Sequence, residues 1–190
     1  MNPFLIGAKT ILRPAQLSDV PLFTKWMNDP DTRTYLLRRF PITEIEEKAW
    51  VEKISTLNGT PSNLVFVMET KEEGRPIGTM GLHNISWLHR NATTGTIIGE
   101  KDCRGQGYAS DAKMTLLGYA FESLGLHKII SHAFARNTKS IEYSKRCGYK
   151  VEATLKEEIF ANGKWEDRVV LACFYKDWQK VNKKMLRRST

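Results

Sequence analysis

The stretch from Thr96 to Lys113, TIIGEKDCRGQGYASDAK, limits what this chain can fold into more than any other. An apolar run ends at Gly99, Arg104-Gly105-Gln106-Gly107 has turn composition, and from Ala109 the apolar residues recur at helical spacing. Ala109, Ala112, Leu116, Tyr119 and Ala120 share one face, which Leu117 and Phe121 widen. The pattern predicts a strand, a tight glycine turn and the N-terminus of a helix. Such a turn leaves several backbone N–H groups without partners at the positive end of the helix dipole, where a phosphate or pyrophosphate satisfies them. Gly105 and Gly107 let the backbone bend and approach a ligand, and Arg104 adds a charge-assisted contact. A plain strand-to-helix connection explains the same glycines. The dinucleotide fingerprint fits poorly because its third glycine is missing, and the P-loop fails for want of Gly-Lys-Ser/Thr.

The flanking sequence supplies the rest of a sheet. Thr10–Arg13 reads as a strand ended by Pro14, after which Ser18 or Asp19 caps a helix carrying Val20, Leu22, Phe23, Trp26 and Met27 that stops around Asn28-Asp29-Pro30. Arg33 to Phe40 has broken periodicity. After Ile42 a helix runs through Ala49, Trp50, Ile54 and Leu57, with Thr43 and Glu46 spaced as a capping box. Asn58 to Ser62 is turn-rich and introduces a strand at Leu64–Met68; Glu72–Pro76 turns into a second at Ile77–His83, and Trp87–Asn91 leads to a third from about Ala92 to Gly99. Downstream come a helix at Ala109–Leu124 and a strand at Leu126–Ala133, reached by a right-handed crossover if the two strands are parallel neighbours. A short helix from Asn137 through Ile141, Tyr143, Ser144 and Cys147 ends at Gly148. Val151–Phe160 and Arg168–Phe174 flank an Asn162-Gly163 turn, a strong hairpin signal. The expected fold is α/β: one domain over residues 1–178, with a mixed, mostly antiparallel twisted sheet flanked by helices, and a basic C-terminal tail over 179–190.

With 190 residues and 41% apolar content, one domain can build a substantial core. The formal charge of +8 permits an anionic cofactor, an acidic substrate or a nucleic-acid surface and selects none of them. Much of it is local, since Lys176, Lys180, Lys183, Lys184, Arg187 and Arg188 fall near the C-terminus, where a solvated tail is the plain reading. An RNA module would interleave exposed aromatics with such residues. Cys103, Cys147 and Cys173 are an odd number at wide spacing, so neither a metal pair nor a redox pair is visible and a reduced compartment is expected. Cys103 lacks the His partner at fixed spacing that a nucleophile needs. Met1–Thr10 carries no leader pattern and no stretch reaches 18 apolar residues, so the expectation is a cytoplasmic protein without membrane contact.

Arg104-Gly-Gln-Gly-Tyr-Ala109 resembles the Arg/Gln-x-x-Gly-x-Gly/Ala acetyl-coenzyme A signature of the GNAT acetyltransferase superfamily. Asn137-x-x-Ser140 leading to Cys147-Gly148-Tyr149 is similar to a second motif of the same superfamily. Leu12-Arg13-Pro14 with Asp19, Trp26 to Pro30, and Phe160-x-Asn162-Gly163 resemble the branch containing ribosomal-protein N-terminal acetyltransferases. The resemblance implies that acetyl-CoA lies where the Thr96 and Lys128 strands splay apart. Its pyrophosphate would rest on Arg104, Gly105, Gln106, Gly107, Tyr108 and Ala109, and its pantetheine along Ile97, Ile98 and Gly99. Asn137 matches an asparagine that supports the cofactor, and it suits a helix cap equally well. Trp26, Tyr35, Phe40 and Trp50 fall in the part that forms the acceptor side in that superfamily, although each also suits the core.

Acetyl transfer to an amine requires a neutral nitrogen placed at the thioester and stabilisation of the departing thiolate. An α-amine near pKa 8 is about one-tenth neutral at pH 7, against about one part in 2,500 for a lysine near 10.4. A weak or water-relayed base therefore suits an α-amine. The expected activity is direct attack by a protein N-terminal α-amine in a ternary complex with acetyl-CoA; the alternatives are a polyamine, aminoglycoside or amino-sugar acetyltransferase, or a non-enzymatic acetyl-CoA-binding module. Glu100 is the first candidate base, and a turn-capping glutamate reads equally well. The position matching a downstream glutamate of several superfamily members is Ile159, and the adjacent Glu158 points to the other sheet face unless a bulge intervenes. The superfamily's tyrosine four residues before the motif glycine falls on Ser144, so the thiol would be served first by Ser140, then by Tyr143, then by Ser144. His83 either gates a proton relay or is a buried, hydrogen-bonded core histidine. The expected partners are acetyl-CoA and an amine acceptor, with a protein N-terminus and a ribosomal particle left open for the acceptor side, as a monomer or homodimer and with no metal.

Overall fold

The computed structural model describes residues 3–55 and 59–189, so the readings that fall on Met1, Leu57, Asn58 and Thr190, and on the side chain of Arg188, lie outside the described residues. Strands β1 (Leu5–Ile6), β2 (Thr10–Pro14), β3 (Leu64–Thr70), β4 (Pro76–Ser86) and β5 (Asn91–Ile98) form an antiparallel run. β6 (Lys128–Phe134) joins β5 in parallel, and the hairpin of β7 (Lys150–Ala161) and β8 (Lys164–Phe174) places β8 beside β6 and β7 at the edge. The expected single α/β domain with a mixed, mostly antiparallel sheet is therefore the fold observed.

The β5–β6 ladder is short. It runs from Asn91↔Lys128 to Thr94↔Ser131 and stops, although β5 continues to Ile98 and β6 stays paired with β8 as far as Phe134↔Arg168. Beyond Thr94 the facing strand edges keep backbone groups that no neighbouring strand satisfies. The splay expected beside the glycine turn is present.

Among the described residues six helices flank the sheet: α1 (Val20–Asn28), α2 (Pro30–Arg33), α3 (Glu44–Ser55), α4 (Tyr108–Gly118), α5 (Thr138–Arg146) and α6 (Tyr175–Ser189). α4 continues into a π turn at Tyr119–Ser123, which completes the helix expected to Leu124. Its apolar face packs as the periodicity predicts, with Ala112, Leu116, Leu117 and Ala120 fully buried. A smaller cluster of Phe23, Trp26, Val51 and Val67 holds α1 and α3 against the sheet. Residues 175–189 are helical, and Trp178 is buried in the main core with its indole N–H donating to the Met114 carbonyl at 3.1 Å.

Three local expectations change. The strand at Leu5–Ile6 was missed because two residues carry no periodicity. Asp19 stands at the N-cap of α1, yet its carboxylate is drawn away by the guanidinium of Arg13, in two hydrogen bonds of 2.7 Å, and by the Gln16 N–H at 2.8 Å. Half of the capping box forms at α3: Thr43 accepts from the Glu46 N–H, whereas the Glu46 carboxylate turns to Arg38. Asn162 and Gly163 both take positive φ, as a two-residue turn matched to the twist of a hairpin requires.

Candidate active site

Gly107 is the N-cap of α4 with φ +89°, a conformation that side chains with a Cβ rarely adopt. The N–H groups of Gln106, Gly107, Tyr108 and Ala109 find no acceptor among the described residues, because the first helical bonds are those from Ser110 and Asp111 to the Gly107 carbonyl. Asp111 holds this turn against the N-terminal strands, accepting from the N–H groups of Ala8, Lys9 and Thr10 and from the Thr10 hydroxyl. Arg104 reaches back to the Ile98 carbonyl and across to the Thr32 hydroxyl. These unpaired donors fit an anionic phosphate group, and Arg104, Lys139 and Arg146 line the same cleft.

That cleft has a volume of about 1350 Å³ and is lined by β5 from Thr94 to Ile98 and β6 from Ser131 to Phe134, where their ladder ends, together with residues of α1, α3, α4 and α5. Of the expected cofactor residues, Ile97, Ile98, Arg104, Gly105, Gly107, Tyr108, Ala109, Asn137 and Ser140 line it. Gln106 does not: its side chain folds back onto the Asp102 carbonyl. Gly99 is packed so closely on the Trp26 ring that a Cβ there would lie 2.1 Å from it. The Asn137 side-chain oxygen Oδ1 accepts from the Ser140 N–H at 3.2 Å, so the capping role is realised in a residue that also faces the cleft.

The expected catalytic residues separate. Tyr143 and Ser140 line the cleft, and the Tyr143 hydroxyl bonds Thr96 Oγ1 at 2.9 Å. Ser144 is 1% exposed, with its hydroxyl buried and unpartnered away from the lining. Glu100 is not brought to the cleft. Its carboxylate accepts from the Trp26 indole at 2.7 Å, Lys25 at 2.9 Å and Arg75 at 3.1 Å, and the Trp26 and Lys25 bonds hold it below the usual glutamate range. A carboxylate lowered in the folded state adds stability above the ordinary glutamate range and loses it as pH falls through its own lower value. Glu100→Gln is therefore expected to lower the urea midpoint at pH 7 and to approach wild type at acid pH; an equal deficit at both would show that charge is not what anchors Trp26.

Ile159 faces the cleft, buried with Phe134 and Ala161, while Glu158 pairs with Arg168. A bulge between Leu155 and Ile159 does occur, but it leaves Glu158 outside the lining. Cys103 is 5% exposed, and burial raises its thiol further from the nucleophilic form. His83 is half-buried over the Gly81 and Gly95 backbones, lines the cleft, and is kept neutral by desolvation; no hydrogen bond holds its ring among the described residues. Trp26, Tyr35 and Trp50 line the acceptor end as well, whereas Phe40 is 77% exposed and does not.

Two lining residues went unread in the sequence. Glu47 is 7% exposed on α3 and has no cation within ion-pairing distance among the described residues; burial raises its carboxyl, with Arg38 opposing and Glu46 adding to the rise. Lys113 is 1% exposed on α4. The signal was available for both: each is a charged residue on the apolar stripe of its helix, Glu47 with Trp50, Val51 and Ile54, and Lys113 with Ala109, Leu116 and Leu117. The described residues contain no cluster of three or more His, Cys, Asp or Glu side chains placed to hold a metal.

The family model for the acetyltransferase (GNAT) domain matches residues 9–150. The chain belongs to that family, and it is an acetyl-CoA-dependent N-acetyltransferase. Among solved structures, the spermidine N-acetyltransferase of Vibrio cholerae in complex with CoA and spermine is 26% identical with a TM-score of 0.83, over 90% of this chain and 99% of that one. Among curated sequences, the Vibrio cholerae spermidine N(1)-acetyltransferase is 35% identical over 102 residues, which is 54% of this chain and only 58% of that protein. A putative ribosomal N-acetyltransferase of Bacillus subtilis is 28% identical over 130 residues, 68% of this chain and 67% of that one.

The branch expected from the sequence is thereby corrected: spermidine acetyltransferases recur among both the sequence relatives and the solved structures, rather than the ribosomal-protein N-terminal enzymes. The residues that carried the branch resemblance explain the error. Arg13 and Asp19 form a buried ion pair, and Asn162-Gly163 is a hairpin turn. These two features lie outside the cleft lining and do not discriminate one acceptor from another, and Trp26 and Met27 of the same resemblance, which do line it, are apolar residues that carry no charge to select an amine.

Proposed function

We propose that this protein transfers the acetyl group of acetyl-CoA to a primary amine of a small polyamine. The observation that carries the reading is Glu47, a buried carboxylate on the cleft wall with no cation within ion-pairing distance among the described residues. An unpaired carboxylate in a low-dielectric wall favours an arriving ammonium, which restores the counter-charge that burial denies it. The neighbouring acids are already engaged: Glu46 with Arg38, and Asp31 with Lys101. Of the charges that line the cleft, Arg38, Asp31, Glu46, Glu142 and Arg168 are ion-paired, which leaves, apart from Lys113, Arg104, Lys139 and Arg146 beside the glycine turn and α5 for an anionic donor and Glu47 on α3 for a cationic acceptor. The likeness to enzymes whose substrates are spermidine and spermine supports the same assignment.

The donor supplies an activated thioester; this chain's residues have to place the amine and remove its proton. A polyamine nitrogen resembles lysine, so only about one in 2,500 is neutral at pH 7 and a base contributes more than it would for an α-amine. His83, neutral and facing the cleft, takes that role in place of Glu100. Ser140 and Tyr143 remain the hydroxyls placed to serve the thiol.

Purified protein with acetyl-CoA and separate panels of spermidine, spermine, aminoglycosides and N-terminal peptides, read by mass spectrometry, tests this. Acetylated spermidine at higher kcat/KM than any peptide is expected, and a peptide preference overturns it. Glu47→Gln should raise KM for spermidine about tenfold or more, the scale of one lost charge-assisted contact, and leave acetyl-CoA affinity unchanged. An unaltered KM would remove Glu47 from acceptor binding.

A further inference from the structure

Lys113 is the residue that neither the fold nor the acceptor chemistry accounts for. Its Nζ donates to Thr94 Oγ1 at 2.9 Å and lies 5.1 Å and 5.2 Å from the ring centroids of Tyr143 and Tyr149. No carboxylate among the described residues pairs with it, and only one of the three donors of an ammonium has an oxygen partner. Two aromatic faces replace part of the lost hydration. A buried charge without an anion is nevertheless costly, and an apolar side chain of the same length would fill the space without that cost.

The surroundings are polar and lie where the β5–β6 ladder ends. Thr94 also bonds the Tyr149 hydroxyl at 3.1 Å, Thr96 bonds the Tyr143 hydroxyl, and Thr94, Thr96, Lys113, Ser131 and Tyr143 all line the cleft. What this place lacks is an anion. A donor held by its pyrophosphate on the Gly107 turn, with its arm along the open edge of β5, brings a sulfur atom to the foot of the splay. When the new C–N bond forms and the C–S bond breaks, the electron pair stays on sulfur as a thiolate and the amine loses its proton to the base and then to water.

We infer that Lys113 and Tyr143 form a thiolate site for CoA, with the Tyr143 hydroxyl bonding the sulfur and the Lys113 ammonium, behind the tyrosine ring, supplying the opposite charge. Lys113 is a positioning residue that acts through Tyr143 and Thr94. The inference rests on the acetyl-CoA reading of the cleft and not on the acceptor.

The test is the ionisation of CoA bound to the intact protein, followed by ultraviolet thiolate absorbance across pH with the desulfo-CoA complex subtracted. Tyr149, Cys147 and Cys173, with the cleft histidines His83 and His132, face the site in both complexes and cancel, while Tyr143, which bonds the sulfur, is followed separately at the longer-wavelength tyrosinate band and removed in Tyr143→Phe. The bound thiol is expected to ionise at least about tenfold more readily than a free thiol of pKa near 8.5. Lys113→Met should return it to the free value with melting temperature no lower than wild type, with CoA affinity unchanged near about pH 6, where the thiol is protonated in both proteins, and reduced by about tenfold above the free thiol value; Tyr143→Phe should return part of it. A wild-type complex whose thiol ionises like free CoA overturns the inference without recourse to any variant. So does a Lys113→Met protein that binds CoA and keeps the wild-type ionisation. Neither result bears on the polyamine acceptor, since no amine is present; failure of CoA to bind overturns the cofactor reading, and this inference with it.

Discussion

Replacing Gly107 with valine is expected to remove most CoA binding while the fold survives. Gly107 holds φ +89° at the N-cap of α4, and nothing lies nearer than 3.9 Å to the place its Cβ would occupy, so the cost is conformational and not a collision. A β-branched residue at such a φ carries about 1–3 kcal/mol of strain. The chain relieves it by rotating the turn, and the N–H groups of Gln106, Gly107, Tyr108 and Ala109 then no longer converge on one anion. Strain of that size corresponds to roughly 5- to 150-fold in affinity before any blocking by the side chain. Calorimetric titration with CoA checks it, alongside an unfolding curve to establish that the variant is folded. Equal affinity in a folded Gly107→Val protein would move the pyrophosphate elsewhere.

Asp19→Ala is expected to be the most damaging single change to stability outside the apolar core. Arg13 is buried, with two guanidinium hydrogen bonds of 2.7 Å to Asp19 and one of 2.6 Å from Nε to Glu69, and these bonds raise its already high pKa, Asp19 first. Removing Asp19 leaves that cation half-satisfied in a site where its side chain is 4% exposed. Breaking a buried pair in this way costs about 3–5 kcal/mol. The consequence reaches function, since Asp19 sits at the start of α1, and α1 carries the Trp26 that packs on Gly99 at the end of the cofactor strand. Urea unfolding at neutral pH measures the loss. A shift within the noise of ordinary surface substitutions would show that Glu69 alone suffices for Arg13.

Local chemistry decided a large part of this protein, and that part was legible. The Gly105/Gly107 turn, the apolar face of α4, the Asn162-Gly163 hairpin and the Asn137 cap depend on residues within a few positions of one another, so φ preference and periodicity suffice to place them. Fold class and an anion-binding turn followed from the same short-range signals, and the donor followed from the resemblance of Arg104–Ala109 to the acetyl-coenzyme A signature. Glu100 shows the limit. In the chain it directly follows the cofactor strand and reads as a base; in space Trp26, Lys25 and Arg75, which lie 74, 75 and 25 residues away in sequence, converge on its carboxylate and make it an anchor.

The acceptor end was decided by tertiary structure for the same reason. Glu47 and Lys113 are legible in the sequence only as faults in an apolar stripe, and the pattern does not say whether a fault is paired. That depends on which side chains the fold brings opposite them: Arg38, which Glu46 takes, for Glu47, and Thr94 from β5, Tyr143 from α5 and Tyr149 from the connection into β7 for Lys113. The sequence by itself determined a GNAT-type domain built around an anion-binding turn, because a turn and a helix dipole are made by neighbours in the chain. Only the folded structure decided which charges in the cleft lack a partner among the described residues, because compensation is a property of distance in space, and those charges carry the proposals of a cationic amine beside Glu47 and a thiolate beside Lys113.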